Sequence, residues 1–352
     1  MRIVLFCENK YAIDILNPIQ EYVTANHLPH EVLWYIHQPK IDKFEYADKV
    51  RWTGSIQEVY DFSPDAIYVP GNIVPYYLPG VKIQVFHGYA AEKKDHWIIR
   101  RYFDTYFTQG PYFTSHFKAL SKKYSDFEVL ETGWPKQDWI KANLHKYDAE
   151  REQLLSQSGK KTIILYAPTF SPKLTSLPYI KEQLGRLAEE RNALVLMKFH
   201  PLTRQEWVDE YRDWASQRND VIFIDKGENV TKYQLMSDVL ISDTSSTIYE
   251  FLLLSRPVIT LGTISKAIYW ENITEPSLLI AAYDHALTDP EAIAKRQWIV
   301  DNYDPYLDGR VCERMIAGAE DYIRRHGVPK KRKLNLWRKY TSIKTFGRIK
   351  KG

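Results

Sequence analysis

The segment that most constrains the fold is VLISDTSSTIYEFLLLSRPVITL, residues 239–261. Its pattern predicts a buried strand over Val239–Ser242, a hydroxyl-rich turn over Asp243–Ser246, a helix over Ser246–Leu254 and a second strand over Val258–Leu261. In such a unit the turn lies where a strand ends and a helix begins. Free backbone N–H groups and the helix dipole favour an anion such as phosphate there. The alternative is an ordinary N-cap, because Asp, Thr and Ser commonly start helices.

The same alternation of strands and helices runs through the whole chain and predicts parallel sheets covered by helices on both faces. The predicted strands are Arg2–Glu8, Glu31–His37, Asp65–Pro70, Lys82–His87, Thr105–Gln109, Phe127–Glu131, Thr162–Tyr166, Ala193–Phe199, Val221–Ile224, Val239–Ser242 and Pro257–Leu261. The predicted helices include Lys93–Tyr102, Pro290–Tyr303 and Asp308–Arg325, and a charged helical segment over Asp138–Ser158 reads as a link. We therefore expect an α/β chain of two doubly wound domains, residues 1–150 and 151–327, facing each other across a cleft.

Composition narrows the class of protein. Hydrophobic residues make up 44% of the 352 residues, as in an ordinary folded protein. The two cysteines, Cys7 and Cys312, cannot form a disulfide framework, which is typical of a reducing cytosol. The first residues read as a strand rather than a signal peptide, and no apolar run is long enough to span a membrane.

Polar residues directly follow several predicted strands, where ligands bind in open α/β sheets. They are His87-Gly88, Ala167-Pro168-Thr169, His200-Pro201 and Asp243–Ser246. A histidine in such a place is often only a hydrogen-bonded structural residue. Two of them, one in each predicted domain, indicate proton exchange near neutral pH more strongly than one would.

Several familiar sites are absent from the sequence. It contains no P-loop, no glycine-rich dinucleotide fingerprint after the first strand, no nucleophile elbow and no Cys/His zinc spacing. Nor does it contain a D-x-D pair, so we expect no obligatory metal.

Six short motifs keep an order and spacing similar to those of the CDP-glycerol glycerophosphotransferases, which include the teichoic-acid primases and polymerases and their capsule-building relatives. The motifs are His87-Gly88 with Lys93, Thr132–Asp138, Tyr166–Thr169, Lys198–Pro201, Ser242–Ser246 and Asp308–Arg310. The resemblance covers roughly residues 80–325. It implies a GT-B fold of two Rossmann-like domains, with an acceptor domain first and a nucleotide-donor domain second.

The resemblance also implies roles. His87 would be the general base on the acceptor hydroxyl, with Gly88 and Lys93 on the acceptor side, and His200 the second catalytic histidine, near the donor phosphates. The donor-binding residues would be Thr169, Lys198, Asp243, Thr244, Ser245, Ser246 and Arg310. Arg310 could equally pair with Glu313 or Asp308.

The implied reaction moves glycerol phosphate, or a related alditol phosphate, from a CDP-activated donor to a hydroxyl of a lipid-linked saccharide or glycerophosphate acceptor. It releases CMP and needs no cofactor. Departures from the family pattern at Phe86 and over Phe170–Lys173 fall on the acceptor side. Two other functions fit the same features: a GT-B nucleotide-sugar glycosyltransferase, with Glu250 or Glu271 on the ribose hydroxyls, and a binding module without turnover.

Residues 330–352 hold 10 Lys/Arg and no acid, so the rest of the chain carries a net charge of −6, since the whole is +4. Apolar residues at helical spacing interleave with the basic ones, among them Trp337, Phe346 and Ile349. The segment 328–352 therefore predicts a basic amphipathic helix on an anionic membrane, which would make the protein cytoplasmic and peripheral on the inner face. The alternatives are a disordered tail, a tail packed on the acidic body, and, less well supported, nucleic-acid binding.

Overall fold

A computed structural model describes residues 1–89, 91 and 94–350. The chain forms two compact units, the first made of Met1–Ala142 and Tyr303–Gly352 and the second of Asn143–Asn302. Within the described residues each unit contains one sheet whose paired strands all run parallel. The predicted fold class, α/β with two doubly wound units, is therefore confirmed.

The strands are short and mostly apolar. They are β1 (Arg2–Cys7), β2 (Glu31–Ile36), β3 (Trp52–Thr53), β4 (Ala66–Val69), β5 (Val81–Gln84), β6 (Thr105–Thr108), β7 (Glu128–Glu131), β8 (Thr162–Tyr166), β9 (Ala193–Lys198), β10 (Val221–Ile224), β11 (Val239–Ser242), β12 (Val258–Leu261) and β13 (Glu271–Ile273). The first sheet has the order β3-β2-β1-β4-β5-β6-β7, and the second has the order β10-β9-β8-β11-β12-β13. Central strands such as β1 and β8 are buried on both faces, which is why they read as continuous apolar runs.

Helices connect the strands and cover the sheets. They are α1 (Tyr11–Ala25), α2 (Ile56–Phe62), α3 (Pro111–Tyr124), α4 (Lys136–Asn143), α5 (Asp148–Ser158), α6 (Leu177–Glu190), α7 (Gln205–Ser216), α8 (Val230–Met236), α9 (Thr247–Leu252), α10 (Leu279–Thr288), α11 (Pro290–Tyr303), α12 (Val311–His326) and α13 (Leu336–Phe346). Short 3₁₀ helices occupy Lys94–Trp97 and Pro276–Leu278. Among the described residues, no helix is both long enough and apolar enough to cross a bilayer.

Several predicted helices differ in their bounds from the observed ones. The link over Asp138–Ser158 is two helices, α4 and α5, because a turn separates them. The predicted helix at Lys93–Tyr102 is only the 3₁₀ turn among its described residues. The predicted helix Ser246–Leu254 is shorter, since α9 ends at Leu252 and Ser255 adopts a left-handed φ of 58°.

The unit boundaries also differ from the predicted divisions at 150 and 327, because the last helices return to the first unit. The carboxylate of Asp138 accepts hydrogen bonds from the backbone N–H groups of Val311 (2.9 Å) and Cys312 (2.8 Å), at the start of α12. The guanidinium of Arg314 donates to the carbonyl of Thr132 at 2.8 Å. The motif over residues 132–138 thus fastens α12 to the sheet of the first unit.

The tail is docked rather than separate. Arg332 forms a buried ion pair with Asp104, its Nε lying 2.9 Å from Oδ1. The ring of Phe346, at the end of α13, packs edge-on against Phe6 and Tyr35 of the first core. Of the alternatives drawn from the sequence, packing on the body is the one observed, and the predicted independent segment 328–352 is part of the first unit.

Candidate functional site

Each sheet has one point where the strand order reverses, and ligands bind outside the carboxyl ends of the strands at such a point. In the first sheet it lies between β1 and β4, and in the second between β8 and β11. The described candidate residues that follow β5, β8, β9 and β11 lie at these edges.

His87 is an exposed residue of the loop after β5. Its Nδ1 lies 3.2 Å from the carbonyl oxygen of Pro70, the residue that follows β4. Because a carbonyl can only accept, Nδ1 must carry the proton of this bond and the neutral ring keeps its lone pair on Nε2. The ring is thus fixed in the tautomer that a general base acting through Nε2 requires.

The loop that presents His87 is held by its backbone and by buried amides. Phe86 has a left-handed φ of 61°, an uncommon conformation for a bulky residue and one that often occurs at functional sites. Gly88 has a φ of 148°, which favours glycine, and its carbonyl accepts from the amide of Gln109 at 2.9 Å. The amide of Gln84 donates to the carbonyl of Pro70 at 3.1 Å, so it also supports the group that orients His87. Lys93, the other predicted acceptor-side residue, lies outside the described residues.

A buried carboxyl group, Asp304, anchors Tyr89 in the same loop. It accepts hydrogen bonds from the hydroxyl of Tyr89 (2.7 Å) and the backbone N–H of Trp134 (3.0 Å). Burial raises the pKa of Asp304 to about 7, although these donors and Arg314 act in the opposite direction. The residue two positions after His87 is therefore tied to the segment that precedes α12.

At the edge of the second sheet, the carboxylate of Asp243 organises the surrounding loops. It accepts from the backbone N–H groups of Thr169 (2.8 Å), Ser176 (2.8 Å) and Thr244 (2.6 Å), and from the hydroxyl of Ser176 at 2.9 Å. Burial raises the pKa of Asp243 in spite of these bonds. Because Asp243 is fully buried and its oxygens are occupied, it positions the loops after β8 and β11 and does not present its carboxylate to a ligand.

His200 is anchored in the opposite sense to His87. Its Nδ1 accepts a hydrogen bond from the backbone N–H of Leu202 at 3.1 Å, so the neutral ring carries its proton on Nε2. The ring stacks on Phe170 with a centroid distance of 4.5 Å. Partial burial and then the charge of Lys198 lower the pKa of His200, which favours the neutral form. His200 is therefore set up as an N–H donor, which suits a phosphate oxygen.

Some of the other predicted donor-binding residues of the second unit form hydrogen bonds within the protein, and others are accessible to a ligand. The Nζ of Lys198 is buried and donates to the carbonyls of Phe199 (3.1 Å) and Lys226 (3.0 Å). Thr244 and Ser245 accept from nearby backbone N–H groups through their hydroxyls. Ser246 is exposed at the start of α9, and Thr169 is half-buried. The structure thus brings Thr169, Asp243 and Thr244 together, with His200 joined to them through Phe170.

Arg310 is the exception. It lies in the first unit, whereas the other predicted donor-binding residues lie in the second. Its guanidinium makes two hydrogen bonds to Glu313, at 2.8 and 3.0 Å, which matches one of the alternatives drawn from the sequence. Hydrogen bonding to Glu313 raises the pKa of Arg310.

Sequence reasoning missed several residues around these loops. Tyr11, whose ring centroid lies 5.4 Å from that of His87, follows β1 at the start of α1, so its position after a strand was a usable signal. Ser176 and Asp304 lie far along the chain from the groups they contact and gave no local signal. Among the described residues, no group of three or more His, Cys, Asp or Glu side chains is arranged to hold a metal ion.

Comparisons with known proteins identify the family. Residues 79–263 match the model of the family CDP-Glycerol:Poly(glycerophosphate) glycerophosphotransferase. The chain is 28% identical over 218 residues to the teichoic acid ribitol-phosphate polymerase TarK of Staphylococcus aureus, covering 56% of this chain and 41% of TarK. It is 26% identical over 215 residues to the teichoic acid glycerol-phosphate primase of Bacillus subtilis, covering 59% of this chain and 46% of the primase.

Among solved structures, the wall teichoic acid polymerase TagF matches with a TM-score of 0.63 and 18% identity, covering 92% of this chain and 89% of that one. A variant of TagF has also been solved after soaking with CDPG. This likeness shows the fold, which is GT-B-like. The chain spans less than half the length of the two curated relatives. Since the family model matches more than half of the chain, including His87, His200 and Asp243, the chain belongs to the CDP-glycerol glycerophosphotransferase family.

Proposed function

We propose that the protein transfers glycerol phosphate, or a related alditol phosphate, from a CDP-activated donor to a hydroxyl of a lipid-linked saccharide or glycerophosphate acceptor. The relatives TarK and the primase of B. subtilis act in teichoic acid synthesis with ribitol phosphate and glycerol phosphate respectively. The proposed setting is therefore synthesis of a bacterial surface polymer, such as teichoic acid or a capsule.

In the proposed step the acceptor oxygen attacks the phosphorus that bears the alditol, and the bond from that phosphorus to the bridging oxygen of CMP breaks. The hydroxyl proton passes to Nε2 of His87. The negative charge on the phosphate oxygens is stabilised by Nε2–H of His200 and the hydroxyls of the loop after β11. Such transfer depends on positioning and on electrostatic stabilisation, and a general base contributes about 10²–10⁴-fold.

The observation that carries the proposal is the opposite anchoring of the two histidines. His87 is held through Nδ1–H, which leaves Nε2 as a proton acceptor. His200 is held through an accepting Nδ1, which leaves Nε2–H as a donor. The proposed reaction needs one general base for the acceptor hydroxyl and one hydrogen-bond donor for the phosphate oxygens.

The decisive experiment is turnover. The protein is incubated with CDP-glycerol, CDP-ribitol or a UDP-sugar together with lipid-linked saccharide acceptors, and CMP release and product mass are measured. We expect CMP release with a CDP-alditol, and no turnover of the UDP-sugar. Turnover of the UDP-sugar would instead show that the protein is a glycosyltransferase. If no donor were turned over, the protein would be a binding module without enzymatic activity.

The proposed reaction has no obligatory metal. The test is CMP release with and without EDTA. Equal rates support the proposal, while a loss that magnesium restores would overturn this part of it.

The proposal places the protein in the cytoplasm, peripheral on the inner face of the cytoplasmic membrane, through residues 330–352. Phe346 is buried, so it does not contribute to a membrane surface. Leu336, Trp337 and Tyr340 are exposed by 84%, 72% and 56% and share the opposite face of α13. Tryptophan and tyrosine beside lysines suit the headgroup region of an anionic bilayer.

Sedimentation with vesicles containing phosphatidylglycerol tests this surface. Removing the tail would expose the core, so the variant is Leu336→Ser/Trp337→Ser/Tyr340→Ser in the full chain. We expect it to lose vesicle binding while keeping the thermal stability of the wild type. Unchanged binding, or binding that ignores salt and lipid charge, would overturn the membrane assignment.

A further inference from the structure

A cavity of about 770 Å³ lies in the first unit, between the docked tail and the body. A volume of this size is in the range of small-molecule sites. Its basic lining residues are Lys330, Lys331, Arg332, Lys339 and Arg348, and none of its described lining residues is acidic. His87 does not line it, so it is distinct from the candidate site of the first unit.

The charge in this cavity is largely uncompensated. Arg332 pairs with Asp104, so its charge is neutralised. Within the described part of the chain, the other four basic residues form no ion pair. Four cations converging on one cavity repel each other unless an anion binds among them, so the site favours a ligand that carries a negatively charged group such as a phosphate.

Tyrosines supply hydrogen-bond donors. Tyr60, Tyr76 and Tyr77 line the cavity, and Nζ of Lys339 lies 5.7 Å from the ring centroid of Tyr76. Tyr77 donates its hydroxyl to the carbonyl of Gly347 in the tail. Within the described chain, the hydroxyls of Tyr60 and Tyr76 have no hydrogen-bond partner. Phenol and ammonium donors together are suited to phosphate oxygens.

The rest of the lining is apolar and adjoins the exposed face of the tail helix. Leu78, Ile343 and Ile349 contribute aliphatic surface. On α13, Lys339 of the cavity lies three residues after the exposed Leu336, and Ile343 of the cavity lies three residues after the exposed Tyr340, so each pair is adjacent on the helix surface. The cavity therefore combines a cationic part with an aliphatic part beside a surface suited to lipid.

We infer that this cavity is a second ligand site, which binds the phosphate-bearing headgroup of an anionic amphiphile. The inference uses the proposed membrane association only to identify the membrane as the source of this ligand. It does not depend on the transferase reaction, and CMP release is not part of its test.

The test is calorimetric titration of the full chain with dihexanoyl-phosphatidylglycerol below its micelle concentration. Parallel titrations use dihexanoyl-phosphatidylcholine, which has the same chains and no net charge, and sodium pyrophosphate, which has charge and no chains. We expect saturable binding of the anionic lipid and at least tenfold weaker binding of both comparison ligands. Equally tight binding of pyrophosphate would overturn the assignment to an amphiphile, and an absence of saturable lipid binding would overturn the site.

A matched pair of double variants separates the cavity from the general charge of the tail. Lys339→Gln/Arg348→Gln removes two charges from the cavity. Lys333→Gln/Lys344→Gln removes two exposed charges of the same tail that do not line it. We expect the first to weaken lipid binding at least tenfold and the second less than twofold, with equal thermal stability. Equal losses in both would show that the tail binds anions without a site. The ligand in this titration is dispersed lipid and not a vesicle. A negative titration would therefore contradict the cavity site without contradicting vesicle binding by Leu336, Trp337 and Tyr340.

Discussion

At the scale of single residues, two histidines of similar exposure are prepared for different chemistry by one hydrogen bond each. Pro70 accepts from the ring of His87, and Leu202 donates to the ring of His200. The Nε2 atom of His87 is therefore a proton acceptor, whereas the Nε2 atom of His200 is a hydrogen-bond donor. A sequence shows both residues, but the assignment of roles needs the backbone groups that they contact.

This difference predicts different responses to glutamine, whose amide can replace an N–H donor at the Nε2 position but cannot act as a base. His87→Gln should lose about 10²–10⁴-fold in kcat, as much as His87→Ala. His200→Gln should retain roughly tenfold more turnover than His200→Ala, in keeping with the worth of one charge-assisted hydrogen bond. CMP release measures all four variants. A rescue by glutamine at position 87, or none at 200, would contradict the assigned roles.

Asp304 gives the first unit a pH-dependent stability. Its folded pKa of about 7 lies above the ordinary value of 3.8, because the group is buried. Between these values the folded chain keeps a proton that the unfolded chain releases. The contribution of Asp304 to the free energy of unfolding is therefore complete below the unfolded-state pKa of 3.8. It is lost as the pH rises to the folded-state pKa of about 7.

Asp304→Asn resembles the neutral acid but cannot ionise. The free energy of unfolding of the variant, relative to that of the wild type, should increase from about pH 4 to pH 7 and then level off. Urea unfolding at a series of pH values measures this difference. A difference that stays constant, or that falls with pH, would contradict the burial-raised pKa.

Some of the candidate site could be predicted from the sequence, since His87, His200 and Asp243 follow apolar strands and occur in recognisable motifs. The function of Asp243 as a positioning group could not be predicted, because its donors Thr169 and Ser176 lie about 70 residues away. Similarly, nothing local to Lys198 indicated that its Nζ would be occupied by two carbonyls.

At the scale of elements, uninterrupted apolar strands were predictable and the shortest ones were not. Strands β8, β10 and β11 match the predicted ranges, because each is an almost uninterrupted run of apolar residues. Strand β3 has two residues and β13 three, so neither produces a periodic pattern. Helix α13 was predicted as amphipathic, but which of its apolar residues would be buried depended on the surface of the body.

The packing of α13 on the body should make a measurable contribution to the free energy of unfolding. Phe346 is 7% exposed and packs among Phe6, Tyr35 and His37. Phe346→Ala should lower the free energy of unfolding of the first unit by about 3–5 kcal/mol, the usual cost of emptying a buried phenylalanine position. Chemical denaturation measures it. Tyr340→Ala, at an exposed position of the same helix, is the control and should cost less than about 0.5 kcal/mol. Equal effects would show that α13 is not docked in solution.

At the scale of the whole molecule, the two sheets have the same order of their first six strands, and the extra strand, β7, lies at the edge of the first sheet. The fold class was predictable because alternation of strands and helices leaves few topologies. The division of the chain was not predictable, since the contacts that return residues 303–352 to the first unit join positions far apart in the sequence, such as Asp138 and Val311, which are 173 residues apart.

The interrupted first unit imposes an order on synthesis. The second unit, Asn143–Asn302, is continuous, whereas the first lacks α12 and α13 until the residues that follow the second unit have been made. At roughly 5–20 residues per second, the nascent first unit waits about 10–40 s for its last helices. During that time its sheet lacks part of its cover, so it should be the part that a chaperone or a protease encounters on the ribosome. Pulse proteolysis of stalled nascent chains should therefore show the later-made unit protected before the earlier-made one.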